Sequence, residues 1–210
     1  RNNYPIGWAQ AANTPLKRYK QNTHAGGIQE PLIICWPKAI TKPGVRTQFH
    51  HVTDIMPTVL DALRVEAPEA IRGVPQMPIH GLSMGYSFAG DGPTRKRTQY
   101  FEMFGHRAIW HEGWKAVAYH KRYSSYEEDV WELYHVEEDY SQAVDLAKKE
   151  PKRLRVLQDL FMAEAAKYNV LPLDDRFAER LDVTLRPSFF AGRNKVVFHS
   201  GMTRLPEGSG

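Results

Sequence analysis

The pattern of apolar and polar residues is clearest in the second half of the chain. Between residues 98 and 135, short runs rich in aromatic and β-branched residues alternate with two Gly-containing turns and a longer polar loop, which is typical of antiparallel strands. The predicted strands are 98–104, 106–111, 115–120 and 131–135. Pro151 then begins a predicted helix with one apolar stripe, formed by Leu154, Leu157, Phe161, Ala165 and Tyr168. We expect a small four-stranded antiparallel sheet packed on a helix.

The first part of the chain has a different pattern. Residues 1–27 are interrupted by several Pro and Gly residues and predict a loop. The apolar run at residues 31–36 predicts a short buried strand that stops at Pro37. Cys35 lies at the end of this run, so we expect its thiol to be buried and unreactive.

A second strand, at residues 47–52, is predicted to precede a helix. Apolar residues recur every four positions in this helix, at Ile55, Val59 and Leu63. Thr53 or Asp54 can cap it, and Pro57 is tolerated in its first turn. A strand followed by a helix is typical of the edge of an α/β layer.

These patterns divide the chain into three predicted parts. Residues 1–93 form a portion of an α/β domain and end in a linker rich in Gly and Pro. Residues 94–175 form a small α+β domain with the sheet and the helix. Residues 176–210 form an irregular tail, with one strand at 195–199.

Composition excludes several classes of protein. Hydrophobic residues make up 42% of the chain and charged residues 25%, which is typical of a globular protein. No run approaches the roughly 20 apolar residues of a membrane span, so we expect no membrane partner. The net charge is +4 and the basic residues are dispersed, so we expect no nucleic-acid partner. The single cysteine excludes an internal disulfide and leaves the compartment open.

The first residues lack both a Met and the charged and apolar segments of a signal peptide. We therefore expect no signal peptide and expect the chain to begin within a longer protein. The localisation is not predicted by any feature of the sequence.

The candidate chemistry centres on Lys20. Its ammonium, in a polar loop before an apolar strand, is a compact point charge suited to a sulfate or phosphate group. From Lys20 to Pro37 the order is Lys-x-x-Thr-x-x-Gly-Gly-Ile-x-x-Pro-Leu-Ile-x-x-Trp-Pro. This order resembles the segment of type I sulfatases, the arylsulfatase-like members of the alkaline phosphatase superfamily, that carries their substrate-binding lysine.

Two later segments resemble the same family, in the same order along the chain. Residues 51–58 are similar to the sulfatase stretch His-x-x-Asp-x-x-Pro-Thr, and Trp131-Glu132-Leu133-Tyr134 is similar to the family's Trp-Glu-Leu-Tyr near the last strand. The resemblance covers residues 1 to about 175. It implies an α/β fold: the C-terminal portion of a sulfatase-like α/β sandwich, followed by the small four-stranded sheet on its helix.

The resemblance also implies a reaction, the hydrolysis of a sulfate ester by a formylglycine hydrate beside a divalent cation, usually Ca²⁺. Lys20 matches the lysine that contacts the sulfate or the leaving oxygen, so it is the expected catalytic and substrate-binding residue. His24, four residues later, is expected to line the same pocket. Ala25 stands where the family usually has Glu.

The formylglycine motif, Cys/Ser-x-Pro/Ala-x-Arg, is not present. Cys35 begins Cys-x-Pro, but Ala39 stands where the motif requires Arg, and no serine fits the motif. The nucleophile and the metal ligands are therefore expected upstream, and the 210 residues alone are expected to be inactive. We expect a sulfate-ester small molecule as the substrate, and as partner either the upstream part of the same enzyme or a second copy joined through an exposed sheet edge.

No metal site is predicted in this chain. His50 and His51 are adjacent, so in a strand they point to opposite faces. The acidic runs at 127–129, at 137–139 and at 174–175 lack the ligand spacing of a calcium loop.

Two alternative functions stay open. One is the hydrolysis of phosphonate or phosphate diesters by the same architecture. The other is a non-catalytic, truncated product that acts as a binding module.

Overall fold

The computed structural model describes residues 4–176. Its helices are α1 (Ile6–Ala12), α2 (Ala25–Ile28), α3 (Ile55–Leu63) and α4 (Pro151–Lys167). Its strands are β1 (Ala70–Ile71), β2 (Val74–Pro75), β3 (Thr98–Met103), β4 (His106–His111), β5 (Trp114–Ala118) and β6 (Trp131–His135). The described residues form two compact units, which we call the sheet unit (4–34 and 97–176) and the α3 unit (35–96). Residues 4–34 thus group with the sheet, whereas the predicted domains place them with the α/β portion.

The sheet of the sheet unit is an antiparallel meander in the order β3-β4-β5-β6. All four strands lie where the sequence predicts them, with bounds that differ by two residues at most. Two-residue turns join β3 to β4 and β4 to β5, at Phe104-Gly105 and Glu112-Gly113. Both residues of each turn have positive φ angles, which are 52° and 87° in the first turn and 46° and 83° in the second. These angles are typical of type I′ turns, whose twist matches that of the strands.

One face of this sheet packs on α4, as predicted. Leu157, Phe161 and Ala165 of the helix are buried against the sheet residues of the same core, Ile109, Ala116 and Leu133. At the border of this core, the ring of Trp131 meets Phe161 edge to face, with 5.9 Å between the ring centroids. The apolar stripe of the predicted helix is therefore the part of α4 that covers the sheet.

The opposite face of the sheet carries different residues, because side chains alternate along a strand. Leu133 points to α4, so its neighbours Glu132 and Tyr134 lie on the other side. Residues 13–28 lie against this second face: Lys17 bonds to Tyr134, and the Arg18 guanidinium lies 4.3 Å from the centroid of the Tyr119 ring. This packing places the Lys20 loop on the C-terminal sheet.

The α3 unit contains the predicted helix with Pro57 in its first turn. A 3₁₀ turn at Val52–Asp54 precedes it and carries a reciprocal cap. The His51 ring nitrogen Nδ1 accepts a hydrogen bond from the Thr53 N–H, and the Asp54 carboxylate accepts one from the His51 N–H at 2.8 Å. Asp54 is buried and also pairs with Lys96 at 3.0 Å, so both residues have structural roles.

Four local predictions are wrong. Residues 31–36 and 47–52 are not strands, and Ile33 is 91% exposed. A strand needs hydrogen-bonded neighbours, and no described segment pairs with either run. The Cys35 thiol is consequently exposed rather than buried. The predicted loop at residues 1–27 contains α1 and the start of α2. The predicted strand at 195–199 lies outside the described residues.

Candidate functional site

The Lys20 loop, residues 17–22, folds directly onto the Gly26-Gly27 pair. A Cβ atom at Gly26 would lie 2.1 Å from the carbonyl oxygen of Arg18, and one at Gly27 would lie 2.0 Å from that of Asn22. No side chain fits in such a space. The Gly26 N–H instead donates to the Lys17 carbonyl at 2.8 Å, which closes the loop. Both glycines are therefore needed for the close approach of the two backbone segments.

Two asparagine side chains hold the loop in this shape. The Asn13 amide donates to the carbonyls of Arg18 at 3.1 Å and Gly26 at 2.8 Å, so it joins the two segments. The Asn22 amide donates to the Tyr19 carbonyl at 2.9 Å, across the turn. These bonds stabilise an unusual backbone, since Arg18 and Gln21 have φ angles of 64° and 75°.

Lys20 lies at the exposed turn of this loop. Among residues 4–176 its ammonium has no ion pair with a carboxylate. Lys17 differs, since its Nζ atom lies 2.8 Å from Glu132 Oε2. The fold thus presents one lysine of the loop to solvent on a fixed backbone and uses another to attach the loop to the sheet.

The attachment is centred on Glu132, in β6. Its carboxylate receives Lys17 Nζ at 2.8 Å, the hydroxyl of Tyr134, and His24 Nε2 at 3.3 Å. Lys17 also donates to the Tyr134 hydroxyl at 2.7 Å. We call these four residues the Glu132 cluster. Lys17 and His24 lie on either side of Lys20 in the sequence, so the cluster holds both sides of its loop.

Electrostatics favour a charged Glu132 and a neutral His24. Burial alone would raise the pKa of Glu132, but hydrogen bonds from His24, Lys17 and Tyr134 outweigh it and hold that pKa well below its usual range. Burial lowers the pKa of His24, against the opposing effect of Glu132. His24 is 1% exposed, so within this chain its ring supports the loop and is not open to solvent.

Further hydrogen bonds anchor the segment after the loop. The Thr23 hydroxyl donates to the Arg107 carbonyl in β4 at 3.1 Å. The buried Ala25 N–H donates to the Gln142 side chain at 3.0 Å. Gln142, from the region after β6, therefore fixes the position where sulfatases usually have a glutamate.

Comparison with known proteins identifies the family. Residues 17–164 match the family described as N-sulphoglucosamine sulphohydrolase, C-terminal. The chain belongs to this sulfatase family. An uncharacterized sulfatase of Schizosaccharomyces pombe is 32% identical over 173 residues, which are 81% of this chain and 31% of the yeast protein. The chain thus spans about a third of the length of this curated sulfatase and matches the C-terminal part of the family.

Solved structures agree with the sulfatase fold. The crystal structure of Ps i-CgsB in complex with k-i-k-neocarrahexaose superposes with a TM-score of 0.58 and 22% identity, over 80% of this chain and 36% of that one. A second structure, BT33336S-sulf, comes from work on the metabolism of multiple glycosaminoglycans by Bacteroides thetaiotaomicron. It has a TM-score of 0.51 and 20% identity, over 70% of this chain and 31% of that one. The predicted fold, with a four-stranded antiparallel sheet on a helix, is confirmed.

The two predicted site residues of this sulfatase segment, Lys20 and His24, lie in different environments. Lys20 is exposed, and His24 lies buried in the Glu132 cluster. In the sequence, Glu132 and Tyr134 stand out only as parts of a family motif, and nothing points to Lys17. A signal was present, because the charged Glu132 lies between the large side chains of Trp131 and Leu133 in a short strand. Its partner is Lys17, 115 residues away in the sequence, and no local pattern reveals such a pair.

Residues 4–176 contain no group of three or more His, Cys, Asp or Glu residues that could hold a metal ion. Asp175, one of the acidic residues considered above, accepts from His120 Nε2 at 3.4 Å. None of the helices in this part of the chain is long and apolar enough to cross a membrane.

Proposed function

We propose that this chain is part of an enzyme that hydrolyses a sulfate ester, and that Lys20 contacts the sulfate or the leaving oxygen. One observation carries the proposal. The Lys20 ammonium is exposed and has no ion pair among residues 4–176, on a loop fixed by Gly26 and Gly27. A positioned cation of this kind lowers the energy of negative charge that develops on the sulfuryl oxygens or on the departing alkoxide.

The chain's own residues supply binding and orientation in this proposal. The formylglycine nucleophile and a Ca²⁺ ion that neutralises sulfate charge would be held by residues outside this chain, since the described residues provide no metal cluster. Lys17 and His24 hold the Lys20 loop through Glu132. The burial of His24 favours this supporting role over direct contact with the substrate, and its place in the substrate pocket stays a prediction.

The α3 unit supports the proposal that the enzyme is completed by the upstream part of the same protein or by a second copy. Several of its apolar side chains are exposed, including Val45, Val52 and Leu63. Exposed apolar side chains of this kind can be covered by another surface in the assembled protein. We therefore propose that residues 1–210 have no turnover on their own.

Two substrates and two proteins test the proposed function. The full-length protein and residues 1–210 are each incubated with 4-nitrophenyl sulfate and with bis(4-nitrophenyl) phosphate, and released nitrophenol is measured. The proposal predicts hydrolysis of the sulfate by the full-length protein and none by residues 1–210. Hydrolysis of the phosphate diester alone would favour the diesterase alternative, and hydrolysis of neither would favour the binding module.

A further inference from the structure

Gln142, in the segment after β6, is buried against the backbone that follows the Lys20 loop. Its side chain is 1% exposed, and its Oε1 atom accepts the hydrogen bond from the Ala25 N–H at 3.0 Å. Ala25 begins α2 and is followed by Gly26, whose N–H donates to the Lys17 carbonyl and closes the loop. Gln142 therefore holds the backbone directly beside the contact that closes the Lys20 loop.

Gln142 makes this contact in a conformation with two disadvantages. Its φ angle is 57°, in the left-handed region that residues other than glycine rarely adopt. Because the Ala25 N–H can only donate, Oε1 faces it, and the buried Nε2 atom has no hydrogen-bond partner among residues 4–176. Both features lower the stability of the folded protein. Local strain of this kind tends to occur at functional sites, so this geometry suggests a role in function.

The backbone on both sides of Gln142 is fixed by aspartates. The Asp139 carboxylate accepts a hydrogen bond from the Val144 N–H at 2.8 Å, which closes a turn around Gln142. Asp145, directly after this turn, accepts a hydrogen bond from the Leu133 N–H of β6 at 2.9 Å. The turn is therefore joined to β6, and Gln142 reaches the Lys20 loop from a fixed backbone.

We propose that Gln142 is a positioning residue for the proposed reaction, because its hydrogen bond to the Ala25 N–H sets the place of the Lys20 ammonium. This inference rests on the proposed function, since Gln142 acts through the contact between Lys20 and the sulfate and does not itself touch the substrate. The bond is separate from the Glu132 cluster, which holds the residues on either side of Lys20. The loop is thus held at two points, and the loss of either should move it.

Two substitutions of Gln142 test this inference in the full-length protein, with 4-nitrophenyl sulfate as the substrate. Gln142→Met keeps the size of the side chain but removes the acceptor, so kcat should fall by about tenfold through misplacement of Lys20, with KM nearly unchanged. Gln142→Glu keeps an oxygen acceptor for the Ala25 N–H and should retain most of the wild-type kcat. Gln76→Met, at an exposed glutamine of the α3 unit, is the matched control and should keep the wild-type kcat.

A double-mutant cycle with Lys20 separates positioning from a purely structural role. If Gln142 acts through Lys20, Gln142→Met should lower kcat in the wild-type background and cause no further loss in the Lys20→Ala enzyme. A purely structural role would reduce the folded fraction and leave the kcat of the folded enzyme unchanged. Losses that multiply in the double variant, or a wild-type kcat for Gln142→Met, would overturn the inference.

The outcomes also separate this inference from the proposed function. If Lys20→Ala slows the reaction and Gln142→Met does not, the inference fails while the proposed function stands. If the wild-type protein hydrolyses no ester, the proposed function fails, and hydrogen exchange of residues 13–28, measured by mass spectrometry, decides whether Gln142 fixes the loop. Exchange should then be faster in Gln142→Met than in the wild-type protein and Gln142→Glu, and equal exchange in all three would overturn the inference.

Discussion

The two faces of the four-stranded sheet differ in chemistry and, we infer, in task. The face toward α4 is apolar, with Ile109 and Leu133 packed on Phe161. The opposite face carries Glu132 and the buried Lys115, and it receives the Lys20 loop through charged and hydrogen-bonded contacts. One small sheet thus packs on a helix through one face and holds the Lys20 loop in a defined position on the other.

The largest expected effect on stability comes from the apolar face. Phe161→Ala removes a fully buried ring and should lower the free energy of unfolding by about 3–5 kcal/mol, because it loses burial and leaves a cavity. Denaturant titration of the full-length protein measures this. Val156→Ala, on the same helix but at a side chain that is 62% exposed, is the control. The rate per folded molecule should not change in either variant, and a large fall would show that this face also shapes the site.

Gly27→Ala tests the close approach of the loop on the other face. The new Cβ atom would lie 2.0 Å from the Asn22 carbonyl oxygen, so the Lys20 loop must move. A displacement of about 1 Å typically costs about 100-fold in rate, and we expect a loss of this order in kcat. Gly7→Ala is the matched control, because its Cβ atom would meet nothing within 4 Å. A Gly27→Ala enzyme with the wild-type kcat would contradict the role of the glycine pair.

Lys115, on the polar face, is a buried lysine whose charge lowers the stability of the folded protein. It is 4% exposed, burial lowers its pKa to about 7, and no described carboxylate pairs with it. Its ammonium lies 5.9 Å from the centroid of the Phe101 ring, a contact that offsets only part of the cost of burial. Lys115→Met should raise the free energy of unfolding by about 1–3 kcal/mol, because it removes a charge that burial disfavours. The lysine binds its proton more tightly in the unfolded chain than in the folded protein. The loss of stability caused by its burial is therefore complete below pH 7 and disappears as the pH rises toward 10.5, the ordinary pKa of lysine.

The gain from Lys115→Met should therefore be largest below pH 7 and shrink as the pH rises. Urea titrations across this range measure it. A gain that is independent of pH would mean that the lysine is charged in both states.

Glu132→Gln removes the charge at the centre of the Glu132 cluster. We expect a loss of about 1–3 kcal/mol in the free energy of unfolding at pH 7, since the half-buried ammonium of Lys17 and the buried ring of His24 lose an ionised acceptor. The lowered pKa of Glu132 means that its stabilisation is complete above the ordinary pKa of 4.5 and is lost as the pH falls below it. The difference between the wild-type protein and Glu132→Gln should shrink in acid, and a constant difference would contradict this account.

The Glu132→Gln variant also tests whether the Glu132 cluster positions Lys20 for catalysis. If the cluster positions Lys20, Glu132→Gln should lower kcat more than it raises KM for 4-nitrophenyl sulfate. A purely structural role would reduce the amount of folded enzyme and leave both constants of the folded fraction unchanged.

The sequence predicts the sheet and α4 well because their signals are local. Gly-containing turns separate β3, β4 and β5, a polar loop precedes β6, and the stripe of α4 follows the helical period. The apolar run at residues 31–36 was predicted to be a buried strand, and this prediction is wrong for a physical reason. Apolar residues indicate a preference for burial, but burial also needs a covering surface, and Ile33 is exposed.

The candidate site is predicted only in part, for a related reason. The order of residues around Lys20 predicts the sulfate-binding lysine and locates the glycine pair on which its loop folds. It does not reveal that Lys17 and His24 meet Glu132 on a distant strand, because such pairs depend on the folded topology. Lys17, His24 and Glu132, which fix the position of the loop, are therefore harder to predict from the sequence than Lys20 itself.

The central claim is that the exposed cation of the loop acts on the sulfate, and Lys20→Ala in the full-length protein tests it most directly. With 4-nitrophenyl sulfate we predict that kcat falls by about 10²–10³, as for the loss of one positioned electrostatic contact, while the unfolding midpoint stays unchanged. Lys38→Ala, which removes another exposed lysine, should keep the wild-type kcat. A Lys20→Ala enzyme that hydrolyses the ester at the wild-type rate would contradict the account.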